Sequence, residues 1–533
     1  MLINFPTTAG VILVAAFITG CSNTPKTETY SPPKTQNLSG KELANNYCGS
    51  CHQIPEPSLL EKSIWEKSIL PKMAYRLGMN QDYFSILSNL DSEEMQLVMN
   101  LGIYPEHPQL SEEDWKKITD YYLKNAPTEP VPQISKPKVK VGLSDFTVKS
   151  LKVFDKKSPR VTTVKFDKIK EEIFVAWAGG SNFIKKYNTK LLAIDSLPVQ
   201  SPVSDIISQQ NSFRYLEMGI MNPSDKAKGS LVEVMNSKKE IKILNELKRP
   251  TQMSIGDLNQ DKIEDILVCN FGNEEGNLTW YEGGNNSPHL LKAEPGARVA
   301  YLMDMNNDKL LDIVVLMTQA REGISIFFNK GKGNFEEKIV LQFPSVYGSS
   351  FISLVDFNKD GFQDILYTNG DNADLSYSLK AYHGIRIFLN DGKNNFQQKY
   401  FYPMFGASKA LTADFDSDGD LDIAAISFFP NPTQKPNEGF VLLKNKGNYQ
   451  FDTFTIKESK TGKWMVMDVS DMDNDGDEDI IIGSFLGESV SRGRGMIIQN
   501  KESPSVLILE NNHVRTNINQ FHKIKLIFKE KIF

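Results

Sequence analysis

Five short acidic stretches constrain the fold of this 533-residue chain more than any other feature. They recur about every 50 residues, and a short apolar segment precedes and follows each one. Aspartate occupies positions 1, 5 and 9 of each stretch, and position 3 is aspartate or asparagine. The residues at positions 1, 3, 5 and 9 are Asp257, Asn259, Asp261 and Asp265; Asp304, Asn306, Asp308 and Asp312; Asp356, Asn358, Asp360 and Asp364; Asp414, Asp416, Asp418 and Asp422; and Asp471, Asp473, Asp475 and Asp479. A strand, an acidic turn and a second strand in repeating order predict one repeated structural unit.

A repeat of this length and pattern is typical of one blade of a β-propeller. Several copies continue into a further strand that ends in Asn-x-Gly, as at Asn329 and Asn390. Two weaker copies, at residues 160–177 and 213–234, keep the strand rhythm without the full acidic turn. Five strong and two weak copies predict an all-β propeller of seven blades over residues 143–515, with six or eight blades as alternatives.

These acidic stretches resemble FG-GAP-type and VCBS-type repeats, whose acidic loops bind calcium. The side-chain oxygens at positions 1, 3, 5 and 9 and the carbonyl at position 7 suit one hard cation, by the logic of an EF-hand loop. Lys262 and Lys309 stand at position 6, where the other three copies have glycine. A left-handed turn there would strain lysine, so we expect the first two sites to bind weakly. Tight Asx turns without an ion are the alternative.

A second motif, Cys48-x-x-Cys51-His52, predicts a prosthetic group. The chain has four cysteines, and the other two, Cys21 and Cys269, lie too far away to complete a zinc site. A redox dithiol is the alternative, but it is expected inside an alternating strand and helix pattern, and this motif is surrounded by helical and proline-rich sequence. In an exported chain the motif indicates attachment of a single covalent haem c, with His52 as a ligand of the iron.

The residues after this motif resemble small c-type cytochromes. Trp65 lies in a predicted helix, and Leu-Pro follows it shortly before Met73. In such cytochromes a methionine after this pattern supplies the sixth ligand of the iron. We expect Met73 in that role, on an exposed turn forced by Pro71, with Met79 or His107 as alternatives. The predicted all-α cytochrome domain covers residues 40–127.

The beginning of the chain resembles a bacterial lipoprotein signal. An apolar run over residues 9–20 is too short to span a membrane and ends at Cys21. The resemblance implies a signal peptide over residues 1–20, lipidation of Cys21 and a flexible tether over residues 21–39. No lysine or arginine precedes the apolar run, so an ordinary secretory signal is the alternative. Ser22 after the cysteine indicates the outer membrane, on its periplasmic side or at the cell surface.

The remaining segments are a proline- and lysine-rich linker over residues 128–142 and a tail or final strand over residues 516–533. The net charge of −6 and the absence of a basic stripe argue against nucleic acid as a partner. We therefore expect a membrane-anchored electron carrier that meets a redox partner protein, with the propeller as a docking platform for a protein or glycan. A haem-coupled dehydrogenase with its active site on the propeller is the alternative. No recognisable catalytic constellation supports it, because the histidines of the propeller region are scattered.

Overall fold

The structure, a computed structural model, describes residues 30–32, 35, 37–80, 82, 84–88, 90–154, 158–319, 321–372, 378–486 and 503–513. The predicted signal peptide, the lipidation site Cys21, most of the tether and the tail over residues 516–533 lie outside the described residues. Within the described part of the chain, every helix is too short or too polar to cross a membrane.

Short helices make up the N-terminal region, and its described residues between 40 and 125 contain no strand. The helices are α1 Gly40–Tyr47, α2 Lys62–Ile64, α3 Leu70–Arg76, α4 Phe84–Leu87, α5 Ser92–Asn100 and α6 Glu112–Asn125; Cys48–Ser50 and Pro57–Leu59 form 3-10 turns, and Trp65–Ile69 is π-helical. Ser39 and Glu42 form a reciprocal capping box at the start of α1. Gly40 allows α1 and α6 to cross closely, because a Cβ atom there would lie 2.1 Å from the Lys117 carbonyl oxygen.

The core of this helical region is built around Trp65, which is 1% exposed. Its ring packs on Tyr122 with centroids 4.3 Å apart, and its indole N–H donates to the Pro57 carbonyl over 2.9 Å. Leu43 and Ile118 bring α1 and α6 into the same core. Helices α1, α3 and α6 and the π-helical segment thus share one apolar cluster, against which Val346 of the strand region also packs.

The strand region forms seven sheets, antiparallel except for one added edge strand, and their innermost strands adjoin in a ring, so the predicted seven-bladed propeller is confirmed. The first three blades are blade 1 (β3 Val161–Asp167, β4 Glu172–Trp177, β5 Asn182–Asn188, β6 Ala193–Val199), blade 2 (β7 Val203–Ser208, β8 Ser212–Glu217, β9 Gly229–Met235, β10 Glu240–Leu247) and blade 3 (β11 Pro250–Gly256, β12 Asp265–Asn270, β13 Asn277–Tyr281, β14 Pro288–Lys292). Blades 1 and 2 are the two weak copies of the sequence repeat.

The acidic stretches belong to blades 3 to 7. The last four blades are blade 4 (β15 Ala297–Met303, β16 Asp312–Met317, β17 Gly323–Asn329, β18 Phe335–Gln342), blade 5 (β19 Ser349–Val355, β20 Asp364–Asn369, β21 Gly384–Asn390, β22 Phe396–Pro403), blade 6 (β23 Ala407–Ala413, β24 Asp422–Ser427, β25 Phe440–Asn445, β26 Phe451–Thr455) and blade 7 (β27 Trp464–Ser470, β28 Asp479–Ser484, β29 Val506–Asn511). In each of these blades the acidic stretch joins the innermost strand to the second strand.

The N-terminal strand β2 (Phe146–Leu151) closes the ring as the outermost strand of blade 7. It pairs antiparallel with β29, with Phe146 opposite Asn511 and Leu151 opposite Val506. The segment over residues 516–533, predicted as a tail or a final strand, lies outside the described residues, and β2 occupies the outer edge of blade 7. A strand from the N-terminal side of the ring thus completes blade 7 as a four-stranded sheet and covers the edge of β29.

The predicted linker over residues 128–142 is held against the propeller. Strand β1 (Lys140–Val141) adds to blade 6, parallel to β26. The Lys136 ammonium lies 2.8 Å from the Glu438 carboxylate, and both side chains are nearly buried. A buried pair and a strand pairing hold this segment in place.

The propeller has two different faces, because antiparallel strands place alternate connections at opposite ends of each blade. The acidic stretches connect first and second strands and therefore share one face, which we call the acidic face. The helical region contacts the other connections, on what we call the helix-bearing face. Its contacts are Arg76 to Glu274, Glu94 to Ser224 and Asp225, Asp91 to Lys226, Glu61 to Ser378, Cys51 to Arg321, and His52 to Ser345.

Replacement of Phe146 by alanine tests the closure. The Phe146 ring is 8% exposed and packs on Phe415 of blade 6, with centroids 6.1 Å apart. We expect Phe146→Ala to lower the free energy of unfolding by about 3 kcal/mol in urea titrations followed by tryptophan fluorescence. The control Ser150→Ala, at an exposed position of the same strand, should change it by less than about 0.5 kcal/mol. Equal stability of the two variants would contradict this closure.

Candidate functional site

The five acidic loops fold alike, and we number them loop 1 (257–265), loop 2 (304–312), loop 3 (356–364), loop 4 (414–422) and loop 5 (471–479). The backbone is left-handed at position 4, with φ of 55° to 66°, and at position 6, with φ of 70° to 98°. The aspartate at position 1 accepts a hydrogen bond from the N–H at position 6 over 2.7 to 3.0 Å. The loop backbone is therefore wrapped around the first carboxylate.

The residue at position 6 is left-handed in all five loops, as the glycines at this position in three of them predict. Lys262 and Lys309 adopt φ of 70° there, whereas Gly361, Gly419 and Gly476 have φ of 88° to 98°. A left-handed residue other than glycine is held at a conformational cost of order 1 kcal/mol. At position 6, loops 1 and 2 thus carry backbone strain that the other three loops avoid.

The aspartate at position 9 acts as a buried pin between strands. It is at most 1% exposed in all five loops. Its Oδ2 accepts the N–H of position 2 over 2.8 to 3.1 Å. Its Oδ1 accepts an N–H from the segment after the third strand or at its end, over 2.7 to 2.8 Å. Sequence reasoning treated this residue only as a ligand and missed these hydrogen bonds.

Loops 4 and 5 bring three carboxylates together. Oxygens of Asp414, Asp416 and Asp418 lie within 4.8 Å of one another, as do oxygens of Asp471, Asp473 and Asp479. In the described chain, loops 1 to 3 have no such group. There the asparagine at position 3 donates its amide N–H to the aspartate at position 5 over 2.8 to 3.2 Å. The acidic face thus has two strongly anionic loops and three weaker ones.

Burial and mutual repulsion shift the acidities in the two anionic loops. Burial, with repulsion from Asp416, raises the pKa of Asp422 to about 7. Burial, with repulsion from Asp473, likewise raises the pKa of Asp479 to about 7. A hard divalent cation bound by these oxygens would remove the repulsion, and clustered carboxylates are the donors that calcium takes.

The cysteine motif follows directly on α1. Cys48 begins a 3-10 turn that ends at Ser50, and the N–H of Cys51 donates to the Cys48 carbonyl over 3.4 Å. Neither cysteine is in a disulfide; Cys48 is half-buried against the helical core and Cys51 is exposed. Burial raises the pKa of the Cys48 thiol to about 11. Because neither cysteine is in a disulfide, both thiols are available for covalent attachment of a group.

The ring of His52 is oriented by two oxygens. Its Nδ1 lies 3.1 Å from the Gln53 carbonyl oxygen and 3.4 Å from Ser345 Oγ. Because a carbonyl oxygen only accepts, Nδ1 carries the proton and Nε2 keeps a free lone pair. Burial lowers the pKa of His52, which favours the neutral ring. A neutral imidazole with a free Nε2 is the form that ligates a metal.

The candidates for a sixth ligand differ in surroundings. Met73 and Met79 pack against the same core as Cys48, whereas His107 is exposed and stacks on Tyr30 with centroids 4.6 Å apart. The expected exposed turn at Met73 is wrong, because Met73 lies half-buried inside α3. Pro71 is tolerated in the first turn of α3, where the preceding π-helical segment has already widened the backbone path.

Two propeller residues touch the motif and had no signal in the sequence. Arg321, between β16 and β17, donates its Nε–H to the Cys51 carbonyl over 3.2 Å. Ser345, between β18 and β19, contacts His52. The buried Glu322 carboxylate accepts the N–H groups of Gly348 and Ser349 over 3.1 and 2.8 Å, which holds the Ser345 segment. The loop before β17 and the loop after β18 thus both contact the cysteine motif.

Comparison with known proteins supports the repeat assignment. Residues 304–367, which span loops 2 and 3, match the FG-GAP-like repeat family. Integrin alpha-4 of Xenopus laevis is 28% identical over 177 residues, which cover 30% of this chain and 16% of that protein. Cartilage acidic protein 1 of Homo sapiens is 28% identical over 182 residues, covering 32% of this chain and 26% of that protein. The chain therefore matches about a quarter or less of each relative.

Among solved structures, a chain in the S. cerevisiae complex of Dbp5 bound to Nup159, Gle1, IP6 and ADP aligns with a TM-score of 0.41 and 12% identity. The alignment covers 70% of this chain and 98% of that chain. The fold and the repeat match together define a seven-bladed β-propeller with FG-GAP-like repeats. Integrin alpha-4 and cartilage acidic protein 1 are among the proteins to which a part of this chain is similar.

Substitution of Asp312 separates the role of a pin from that of an ion ligand. An asparagine leaves one of the N–H groups of Met305 and Asn329 without an acceptor, so we expect Asp312→Asn to destabilise the fold by about 2 kcal/mol. The measurement is urea unfolding at pH 8 in excess chelator. Asp308→Asn, at an exposed position of the same loop, is the control and should be nearly neutral. A neutral or stabilising effect of Asp312→Asn in chelator would refute the pin.

Proposed function

We propose that this chain is an extracytoplasmic, membrane-anchored monohaem c-type cytochrome that transfers electrons. The observation that carries the proposal is the Cys48-x-x-Cys51-His52 turn, with two free thiols and a histidine whose Nε2 lone pair is available. The helical fold around this turn and the apolar core beside it are compatible with a small cytochrome domain.

The donor set fits haem c. Cys48 and Cys51 would hold the porphyrin through thioether bonds, and His52 would be one protein ligand of the iron. Met73 is our choice for the second protein ligand, with Met79 and His107 as the alternatives. When bound, the haem would supply one-electron chemistry, and ligation by methionine and histidine raises its reduction potential relative to two histidines. The chain's own contribution is to orient His52 through the hydrogen bond from Nδ1 to Gln53.

The acidic face is proposed to bind calcium. Loops 4 and 5 would bind calcium most tightly, because their carboxylates are clustered. Loops 1 and 2, which have lysine at position 6, would bind it most weakly. Bound ions would neutralise part of the acidic charge and stiffen the propeller as a docking platform for a protein or glycan. Lipidation of Cys21 would hold the protein at the cell envelope, with the outer membrane as the proposed site, where a redox partner protein meets the haem.

Covalent haem is tested by the mass and the spectrum of the purified full-length protein. We expect a polypeptide mass increased by one haem and a pyridine haemochrome spectrum of the c type. Cys48→Ser combined with Cys51→Ser should abolish both. Met73→Ala should abolish the thioether-to-iron band of the oxidised protein, whereas Met79→Ala should keep it. A wild-type mass without porphyrin would reject the proposal.

The same preparation distinguishes an electron carrier from an enzyme. Reduction of the haem by small cytochromes alone supports the carrier. Reduction driven by sugars or alcohols would instead support a haem-coupled dehydrogenase, whose active site would lie on the propeller that the helical region contacts.

Calcium binding is tested by thermal unfolding with calcium and with chelator. We expect calcium to raise the midpoint of the propeller transition, because it removes the repulsion among the carboxylates of loops 4 and 5. Asp416→Asn and Asp473→Asn together should remove most of the increase. Asn306→Asp, which adds a carboxylate to loop 2, should enlarge it. An unchanged midpoint in chelator for the wild-type protein would contradict calcium binding.

A further inference from the structure

The haem-binding turn is held from two sides, by the helical region and by the propeller. Within the helical region, the Gln53 carbonyl accepts the Nδ1 proton of His52. From the propeller, Ser345 Oγ lies 3.4 Å from the same nitrogen and Arg321 donates to the Cys51 carbonyl. These contacts join residues 293 and 270 positions apart in the chain. Two of the motif's three functional residues thus meet propeller loops.

The loop that carries Ser345 is itself well fixed. Tyr382 Oη donates to the Val346 carbonyl over 2.9 Å, and Asn369 Nδ2 donates to the Tyr347 carbonyl over 3.0 Å. The Tyr347 and Tyr382 rings stack with centroids 4.9 Å apart. Val346 packs against the core of the helical region. These contacts fix the loop, so the Ser345 hydroxyl has a defined position.

Arg321 brings a fixed positive charge to the motif. Its Nη1 lies 2.9 Å from the Glu294 carboxylate, which orients the guanidinium while its Nε–H reaches Cys51. The Arg321 side chain is 55% exposed, so solvent and mobile ions screen part of its charge.

We propose that the propeller tunes the reduction potential of the haem through Ser345 and Arg321, which act as positioning residues for His52 and Cys51. This inference depends on the proposed attachment of haem to the motif. It assigns the propeller a part in the redox chemistry itself, beyond docking.

The two residues act in opposite directions. With Nδ1 as the donor, Ser345 Oγ is a second acceptor, which makes His52 a more basic ligand and favours the oxidised iron. The Arg321 cation favours the reduced iron, whose net charge is lower. Loss of the Ser345 hydroxyl should therefore raise the reduction potential, and loss of the Arg321 charge should lower it.

The test is a spectroelectrochemical titration of full-length variants. At a fixed applied potential, we expect Ser345→Ala to increase the ratio of reduced to oxidised haem several-fold and Arg321→Ala to decrease it several-fold. A tenfold change corresponds to about 59 mV for one electron. Ser345→Thr and Arg321→Lys keep the hydroxyl and the charge and should restore the wild-type ratio.

Arg76→Ala is the matched control for docking. It removes the ion pair with Glu274, another contact on the helix-bearing face that does not touch the motif. A wild-type ratio in this variant supports the inference, and a shift as large as those of the Ser345 and Arg321 variants would overturn it. Identical potentials in all variants with intact covalent haem would also overturn it. Absence of covalent haem from the wild-type protein would reject the proposed function first.

Discussion

Closure of the propeller by β2 determines where everything N-terminal to it lies. Because β2 pairs with β29 at the outer edge of blade 7, the chain before it runs along blades 6 and 7. Strand β1 on blade 6 and the buried pair of Lys136 and Glu438 continue this path. The helical region is therefore delivered to the helix-bearing face and is held there by ion pairs and hydrogen bonds to blades 2 to 5. The pairing of β2 with β29 thus both closes the ring and sets where the cysteine motif lies.

The acidic loops and the cysteine motif lie at opposite faces of the propeller, and individual strands run from one face to the other. Strand β16 begins at Asp312, the pin of loop 2, and ends at Met317, shortly before Arg321. Its six residues extend about 20 Å at roughly 3.3 Å per residue. The pin fixes the start of the strand, and the strand leads to the connection that carries Arg321. Loop 2 therefore helps to position Arg321 without touching it.

The local sequence pattern predicts the repeated blades, but it does not reveal contacts between residues that are far apart in the sequence. The spacing of Asp257 and its counterparts predicts the blades, because the loop, its turn and its flanking strands lie within one short segment. The second role of Asp312 is harder to see, because one of its partners, Asn329, follows 17 residues later in another strand. Ser345 has no local signal at all, since its partner His52 is 293 residues away and serine is common in loops. The register of β2 is hidden for the same reason.

The separation of the two faces also limits how the proposed calcium ions could influence the proposed haem. Two charges on an ion and one on the haem would interact by about 0.4 kcal/mol in water across the roughly 20 Å that a six-residue strand spans. Screening at physiological ionic strength reduces this further, because the Debye length is only about 8 Å. The carboxylates of a loop that holds the ion would neutralise it in addition. Any effect of calcium on the potential would therefore be mechanical, and it would act through loops 2 and 3, because β16 and β19 join these loops to the connections that carry Arg321 and Ser345.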